Sequence, residues 1–210
     1  MLLFTGFRYS GLVKARRPRN PGEWSVVLWL GPRVTANVRL ELLTPDHARP
    51  LERFERANRA FFAARVGDRG DDFFEHFDDR LAARVAENQE GASLFFVIVD
   101  GDGEILGRVN ISDIDQPELT ELGFRVAEHA QGRGIATQGV ISALDIAATR
   151  GVQTVKARVS TANLPSRRVL ERCGFEHTGQ TEAPTGQPRT FIGYRKELAG
   201  ASRPPRTEPS

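Results

Sequence analysis

Gln131-Gly132-Arg133-Gly134-Ile135-Ala136 stands between an alternating segment, Leu119-Thr120-Glu121-Leu122-Gly123-Phe124-Arg125-Val126, and an apolar-periodic one over residues 140–148. A strand, two glycines and then a helix form a phosphate cradle. Glycine permits the tight turn and the close approach of a ligand, and the first N–H groups of the helix have no partner within it. The expected guest is an anion. No Lys-Ser or Lys-Thr follows the second glycine, which argues against a nucleoside triphosphatase loop, and the spacing is not the dinucleotide fingerprint G-x-G-x-x-G.

The rest of the chain bounds what that cradle can serve. At 210 residues and 40% hydrophobic content, it can bury one good core, and a single domain is expected. The formal charge of +2 is unevenly spread: residues 1–33 carry six Lys/Arg against one Glu, residues 200–210 two Arg against one Glu, which leaves residues 34–199 at −4. An acidic body with basic ends disfavours nucleic acid as a partner and suits a cationic amine. Residues 1–33 are read as a basic N-terminal extension, partly flexible, in which Trp24 and Trp29 suggest docking. Pro18, Pro21 and Pro32 and the lack of an amphipathic pattern argue against a transit peptide. No apolar run has the length of a membrane span. Cys173 is the sole cysteine, so an intramolecular disulfide is impossible, and a reducing, cytoplasmic setting is expected.

Periodicity predicts a mixed α/β (α+β) sheet flanked by helices. A first strand is expected over residues 34–42. Thr44-Pro45 reads as a helix start, with Pro50 either kinking the helix or beginning it, and the apolar positions Phe54, Ala57 and Phe61 carry it to residue 64. Phe73, Phe74, Phe77, Leu81 and Val85 recur at helical spacing and predict a second helix over 71–90; these phenylalanines serve either the core or a pocket wall. Strands at 93–99 and 104–111 flank Asp100-Gly101-Asp102-Gly103, a hairpin signal. A strand over 119–126 follows, in which Gly123 hints at a bulge. The remaining expectations are a helix over 134–149, a strand over 154–159, a helix over 165–172, and strands over 175–180 and 191–197. Residues 34–198 show no linker, and 199–210 read as a disordered tail.

A second motif sits downstream of the cradle. Ala157-Arg158-Val159 precedes Asn163-Leu164-Pro165-Ser166-Arg167-Arg168-Val169-Leu170-Glu171-Arg172-Cys173-Gly174-Phe175. Together, Gln131, Gly134 and Ala136 in the pattern Gln/Arg-x-x-Gly-x-Gly/Ala, and Asn163 and Ser166 before Gly174-Phe175, resemble the acetyl-coenzyme A loop and the following turn and helix of the GCN5-related N-acetyltransferases. The segments 109–114 and 121–124 make the RimJ/RimL branch the nearest in pattern. The resemblance implies a single domain with about seven strands, mostly antiparallel, in which the fourth and fifth strands splay to form a cleft. It also implies acetyl-CoA as co-substrate and direct transfer to a primary amine, on a small molecule or a protein N-terminus. A homodimer is a further option, and the alternative function is a non-catalytic acyl-CoA-binding module.

The same resemblance implies the site. The backbone of Gln131, Gly132, Arg133, Gly134, Ile135 and Ala136 would hold the pyrophosphate, and Phe124 and Val126 would pair with the pantetheine. Asn163 would bond the pantetheine, Ser166 would lie near the sulfur as an acid, and Glu121 would be the base, with Asp113 and Glu104 as rivals. Plainer readings stand beside these. Asn163 also suits a helix N-cap, Arg133 a solvated surface, and Glu121 a strand-end charge. The acceptor would be recognised by the early helices and residues 182–189. His47, His76, His129 and His177 lack ligand spacing, so no metal is expected, and Cys173 reads as a small buried hydrophobe.

Overall fold

The computed structural model describes residues 28–29, 38–183 and 190–198. Most of the 1–33 extension, the start of the predicted first strand, most of the 182–189 loop and the 199–210 tail lie outside these residues. The elements, in order, are β1 (Leu28–Trp29), β2 (Arg39–Leu42), α1 (Ala48–Ala57), α2 (Arg59–Val66), α3 (Asp71–Glu75), α4 (Phe77–Glu90), β3 (Leu94–Val99), β4 (Ile105–Ser112) and β5 (Glu121–Val126). They continue with α5 (Ile135–Thr149), β6 (Thr154–Ser160), α6 (Leu164–Arg172), β7 (Glu176–Thr181) and β8 (Phe191–Glu197). The sheet order is β1-β2-β3-β4-β5-β6-β8-β7. Every described pairing is antiparallel except β5 with β6. The seven strands expected from sequence are all present, and the two-residue β1 extends the β2 edge.

The continuous apolar run of β3 is buried at every residue because both faces of the sheet are covered there. Helix α5 lies on one face of β3 and β4, while α1 and α4 lie on the other. In β4 the fully buried Val109 and Ile111 alternate with the half-buried Arg108 and Asn110, so polar side chains lie on one face of an interior strand. The hairpin before β4 is closed by Asp100, whose Oδ1 accepts from the N–H of Asp102 at 3.0 Å and of Glu104 at 2.9 Å.

Three local expectations are corrected. Pro50 neither kinks nor starts its helix. It is the third residue of α1, where an N–H has no intrahelical acceptor to lose. The two long predicted helices are each broken, at Asn58 and at His76, where the backbone leaves helical geometry. Periodicity survives such a break because the apolar stripe continues across it. At the first break Asn58 donates Nδ2 to Phe54 O at 2.8 Å and accepts the Glu128 N–H at 2.9 Å, tying the break to the turn that leads into residues 131–136. Finally, Gly123 carries no bulge: β5 pairs with β4 residue for residue from Glu121↔Ser112 to Val126↔Gly107. The irregularities lie instead at Ile98/Val99 and His177/Gly179.

The splay is present. β5 and β6 run parallel with a single paired position, Glu121↔Lys156, and a backbone bond from Lys156 N–H to Thr120 O at 3.0 Å. Beyond it the strands part, so the β5 edge from about residue 122 has no strand partner on the β6 side.

Candidate active site

The cradle forms where β5 ends. A short 3₁₀ turn, Glu128–Ala130, carries the chain off the strand, and Gln131 folds back to donate Nε2 to Val126 O at 2.8 Å and to Ala127 O at 3.3 Å. The geometry of the loop then rests on its glycines. Gly132 and Gly134 have φ of 73° and 77°, the left-handed region that a side chain disfavours, and a Cβ at either would meet nothing within 4 Å. The space beside them is therefore open to a ligand. Gly134 is the N-cap of α5, and residues 131–134 are exposed. The first-turn N–H groups of this 15-residue helix face the loop with no side-chain cap. Ile135 is 1% exposed, so only its backbone can serve a ligand.

A cavity of about 70 Å³ lies beside the loop and brings the predicted residues together: Phe124, Val126, Gln131 and Ala136 share it with Asn163 and Ser166. Arg125 lines it too. Successive residues of a strand point to opposite faces, so a cavity that touches 124, 125 and 126 abuts the strand's edge. That edge is the one β6 leaves unpaired. Phe61 and Phe62 of α2 close the other side. Asn163 caps α6, accepting the Ser166 N–H at 3.3 Å through its Oδ1. Capping and cavity lining are thus the same placement.

Glu121 is placed apart from this group. It sits at the closed end of the splay, three residues before Phe124 and roughly 10 Å from it at the rise of a strand. Both its oxygens are held by Arg158, at 2.8 Å from Nε and 2.7 Å from Nη2; this pairing raises the Arg158 pKa. Glu121 lines neither this cavity nor the one described next. Its rivals line neither cavity. Asp113 has φ of 56° in the loop after β4, where its carbonyl accepts from Thr120 Oγ1, and Glu104 closes the hairpin.

A second cavity, about 180 Å³, lies on the α1/α4 face of the sheet, lined by Arg69, Arg80, Arg84, Arg108 and Asn110 with Phe73, Phe77 and Phe95 among its apolar walls. Sequence reasoning offered Phe73 and Phe77 as core or a pocket wall, and here they line a cavity, but it missed the arginines. Arg108 and Arg125 occupy the polar positions of alternating strands, and the pattern does not say that helices cover that face. They are directly opposed across β4 and β5 and converge on Glu55 of α1, which is 1% exposed. The net acidity of residues 34–199 does not describe this cavity, which is lined by arginines.

Cys173 caps α6 at its C-terminus. Burial pushes its thiol up to about 11, against which Lys196 acts weakly, and its Sγ lies 3.6 Å from Thr137 O. It is the buried small side chain expected. Among the described residues no group of His, Cys, Asp or Glu could hold a metal, and no helix is long and apolar enough to cross a membrane.

Comparison with known proteins agrees with the geometry. The family model described as the acetyltransferase (GNAT) domain matches residues 37–176. Among solved structures, a ribosomal-protein-S5-alanine acetyltransferase from Vibrio fischeri superposes with a TM-score of 0.73 at 22% identity, covering 82% of this chain and 97% of that one. RimJ from Mycobacterium smegmatis in complex with CoA-disulfide has a TM-score of 0.70 at 24% identity, covering 82% and 86%. Spermidine N-acetyltransferase from Vibrio cholerae in complex with CoA and spermine has 0.64 at 18%, covering 77% and 95%.

Proposed function

Because the chain belongs to the GNAT acetyltransferase family, and is thus an acetyl-CoA-dependent N-acetyltransferase, we propose that its acceptor is the α-amine of a peptide or protein. The observation that carries the site assignment is the convergence of the glycine loop, the unpaired β5 edge and the start of α6 on one cavity. The residues fit the co-substrate. The N–H groups of 132–136 hold the pyrophosphate with Arg133 adding charge, and the free edge around Phe124 and Val126 offers donors and acceptors to the pantetheine amides. Acetyl-CoA supplies the acetyl group as a thioester. A backbone N–H of that edge receives the charge that builds on the carbonyl oxygen. Asn163 bonds the pantetheine, and the Ser166 hydroxyl stabilises the departing sulfur.

No dedicated base is needed for such an acceptor. An α-amine has a pKa of about 7.7–8.0, against about 10.4 for lysine, so a useful fraction is already neutral near pH 7.5. Glu121, locked to Arg158, holds β5 and β6 together where they begin to part. The likeness in fold to ribosomal-protein acetyltransferases supports the peptide acceptor, and a cytoplasmic setting suits both the acetyl-CoA supply and the thiol of Cys173.

One experiment tests both points. A peptide with a free N-terminus and an internal lysine is incubated with acetyl-CoA across pH 6–9, and the product is located by fragmentation mass spectrometry, for the wild type and Glu121→Gln. The acetyl group is expected on the α-nitrogen, with the rate rising through an inflection near pH 8, at the pKa of the amine, toward a plateau by about pH 9 in both proteins. Acetylation of lysine alone would overturn the acceptor, and a rate depressed at neutral pH that recovers toward the amine's own pKa in the variant alone would make Glu121 the base.

A further inference from the structure

The second cavity holds more positive charge than the protein compensates. Glu55, 1% exposed, is surrounded by three guanidinium groups: Arg108 Nη1 at 3.0 Å from Oε1, Arg125 Nη1 at 3.5 Å from Oε2, and Arg69 Nε at 3.9 Å from Oε2. These arginines are 18%, 16% and 24% exposed, so all three are largely out of water. One carboxylate among three cations leaves two charges without a counter-ion. Arg80 and Arg84, half-exposed at the rim, already have Asp72 and Glu87 as their own partners.

The hydrogen bonding is incomplete as well. Arg69 Nε is buried with no hydrogen-bond partner, while Glu55 Oε1, also without a hydrogen bond, faces Arg108 Nη1 at 3.0 Å as an ion pair. Such groups normally find one, since an orphaned buried charge is costly. Burial and the nearby Arg108 push the Arg69 guanidinium down to about 8, with Glu55 opposing and Arg125 and Arg84 adding to the effect. A guanidinium does not give up its proton in the working range, so an anion is what relieves the demand.

The cluster is also preorganised. Arg69 stacks over Phe73 at 4.3 Å, Arg84 over Phe95 at 4.8 Å and Arg125 over Phe62 at 5.1 Å, which fixes the planes of the groups. Asn110, with its amide oriented so that the nitrogen donates to Val109 O at 3.2 Å, accepts from Arg108 Nη2 at 3.1 Å. Packed, planar forks suit bidentate recognition of a carboxylate or a phosphate.

Position supplies the link to acetyl transfer. Arg108 lines this cavity and Arg125 lines the cofactor cavity, yet the two are cross-strand partners with Cα atoms roughly 5 Å apart. A group bound among the arginines therefore lies within about two or three residues of extended peptide from an amine at the cofactor cavity, at roughly 3.3 Å per residue.

We propose that the cavity lined by Arg69, Arg80, Arg84 and Arg108 is an oxyanion subsite for the acceptor, which carries a carboxylate or phosphate close to the amine that is acetylated. The inference rests on the peptide acceptor argued above. It sets substrate choice by charge opposite in sign to that expected from the net acidity of the body. The anion pairs with Arg69 and Arg108, completing the Nε that has no partner, and Glu55 keeps the guanidiniums aimed from below.

The test uses four N-terminally free peptides that differ at one position, two to four residues from the amine: glutamate, aspartate, phosphoserine or glutamine. Binding to the CoA-loaded protein is followed by calorimetry and turnover by coenzyme A release. The wild type is expected to bind the acidic peptides about tenfold or more tighter than the glutamine peptide, with KM following. A preference between glutamate and phosphoserine separates the two sources of oxyanion. In Arg69→Gln the ratio of acidic to neutral affinity is expected to collapse toward one. Arg84→Gln, at the exposed rim, should lower it in part if the first variant does not fold. Equal affinity for acidic and neutral peptides in the wild type, or a preference for the neutral one, would overturn the subsite whether or not either peptide is acetylated. Equal acetylation of both would do so while leaving the acceptor class intact, whereas acetylation of neither, with the acidic peptide still bound more tightly, would remove the acceptor reading and keep the subsite.

Discussion

Gly134→Glu is expected to lose acetyl-CoA binding by at least about a hundredfold while the domain remains folded. Two effects act in the same direction. Residue 134 caps α5 with φ of 77°, so any side chain there adopts a strained left-handed backbone, at a cost of about 1–2 kcal/mol. The larger effect falls on the ligand. A Cβ at 134 points into open space, where the loop amides would hold the pyrophosphate, so the new carboxylate meets a diphosphate at the end of a helix arranged for anions. Like charges brought together in this way cost several kcal/mol. Gly134→Asn separates the two contributions, because asparagine tolerates the left-handed region and carries no charge; it should retain much of the affinity. Titration calorimetry reads both. Unchanged affinity in a folded Gly134→Glu protein would remove the loop from the cofactor site.

Ser166→Ala is expected to lower kcat by about a hundredfold, corresponding to loss of about 3 kcal/mol of transition-state stabilisation, with cofactor affinity nearly unchanged. Ser166 sits in the first turn of α6 and lines the cavity, while its backbone N–H is bound by the Asn163 cap. The substitution leaves that N–H and the cap in place, so the helix start persists and only the hydroxyl is lost. If sulfur is stabilised chiefly by solvent the loss shrinks, and a kcat equal to that of the wild type would confine Ser166 to the helix start. Asn163→Ala behaves differently. It removes the cap as well, so it should lower the melting temperature along with affinity.

The legible part of the fold was whatever a local rule governs. Alternation and turn chemistry gave the strands and the hairpin at Asp100, and glycine conformation gave the cradle. The pattern at Asn163 and Ser166 gave one wall of the cavity beside the loop, because a cap and a cavity-lining residue can be one residue. The helix breaks at Asn58 and His76 were not legible, since the apolar stripe runs through them, and at Asn58 the break is stabilised by a bond to Glu128 seventy residues away. The arginine cavity was hidden for a related reason. Arg108 and Arg125 look like the outward positions of two strands, and only tertiary packing puts α1, with Glu55, over them. Glu121 shows a different limit: a carboxylate on the central strand suggests a base, and the pattern does not reveal that both its oxygens meet Arg158, on a strand that pairs with β5 at a single position. Net charge is silent on the arginine cavity, because a sum over the body says nothing about which charges face it.

The most direct test of the central claim is the release of free coenzyme A by the wild-type protein with acetyl-CoA and either of two peptides, identical except that one has its N-terminus blocked. Release is expected with the free amine and at background level with the blocked one, in step with acetyl incorporation. Acetyl-CoA bound tightly at the loop with no release in the presence of any free amine would contradict it.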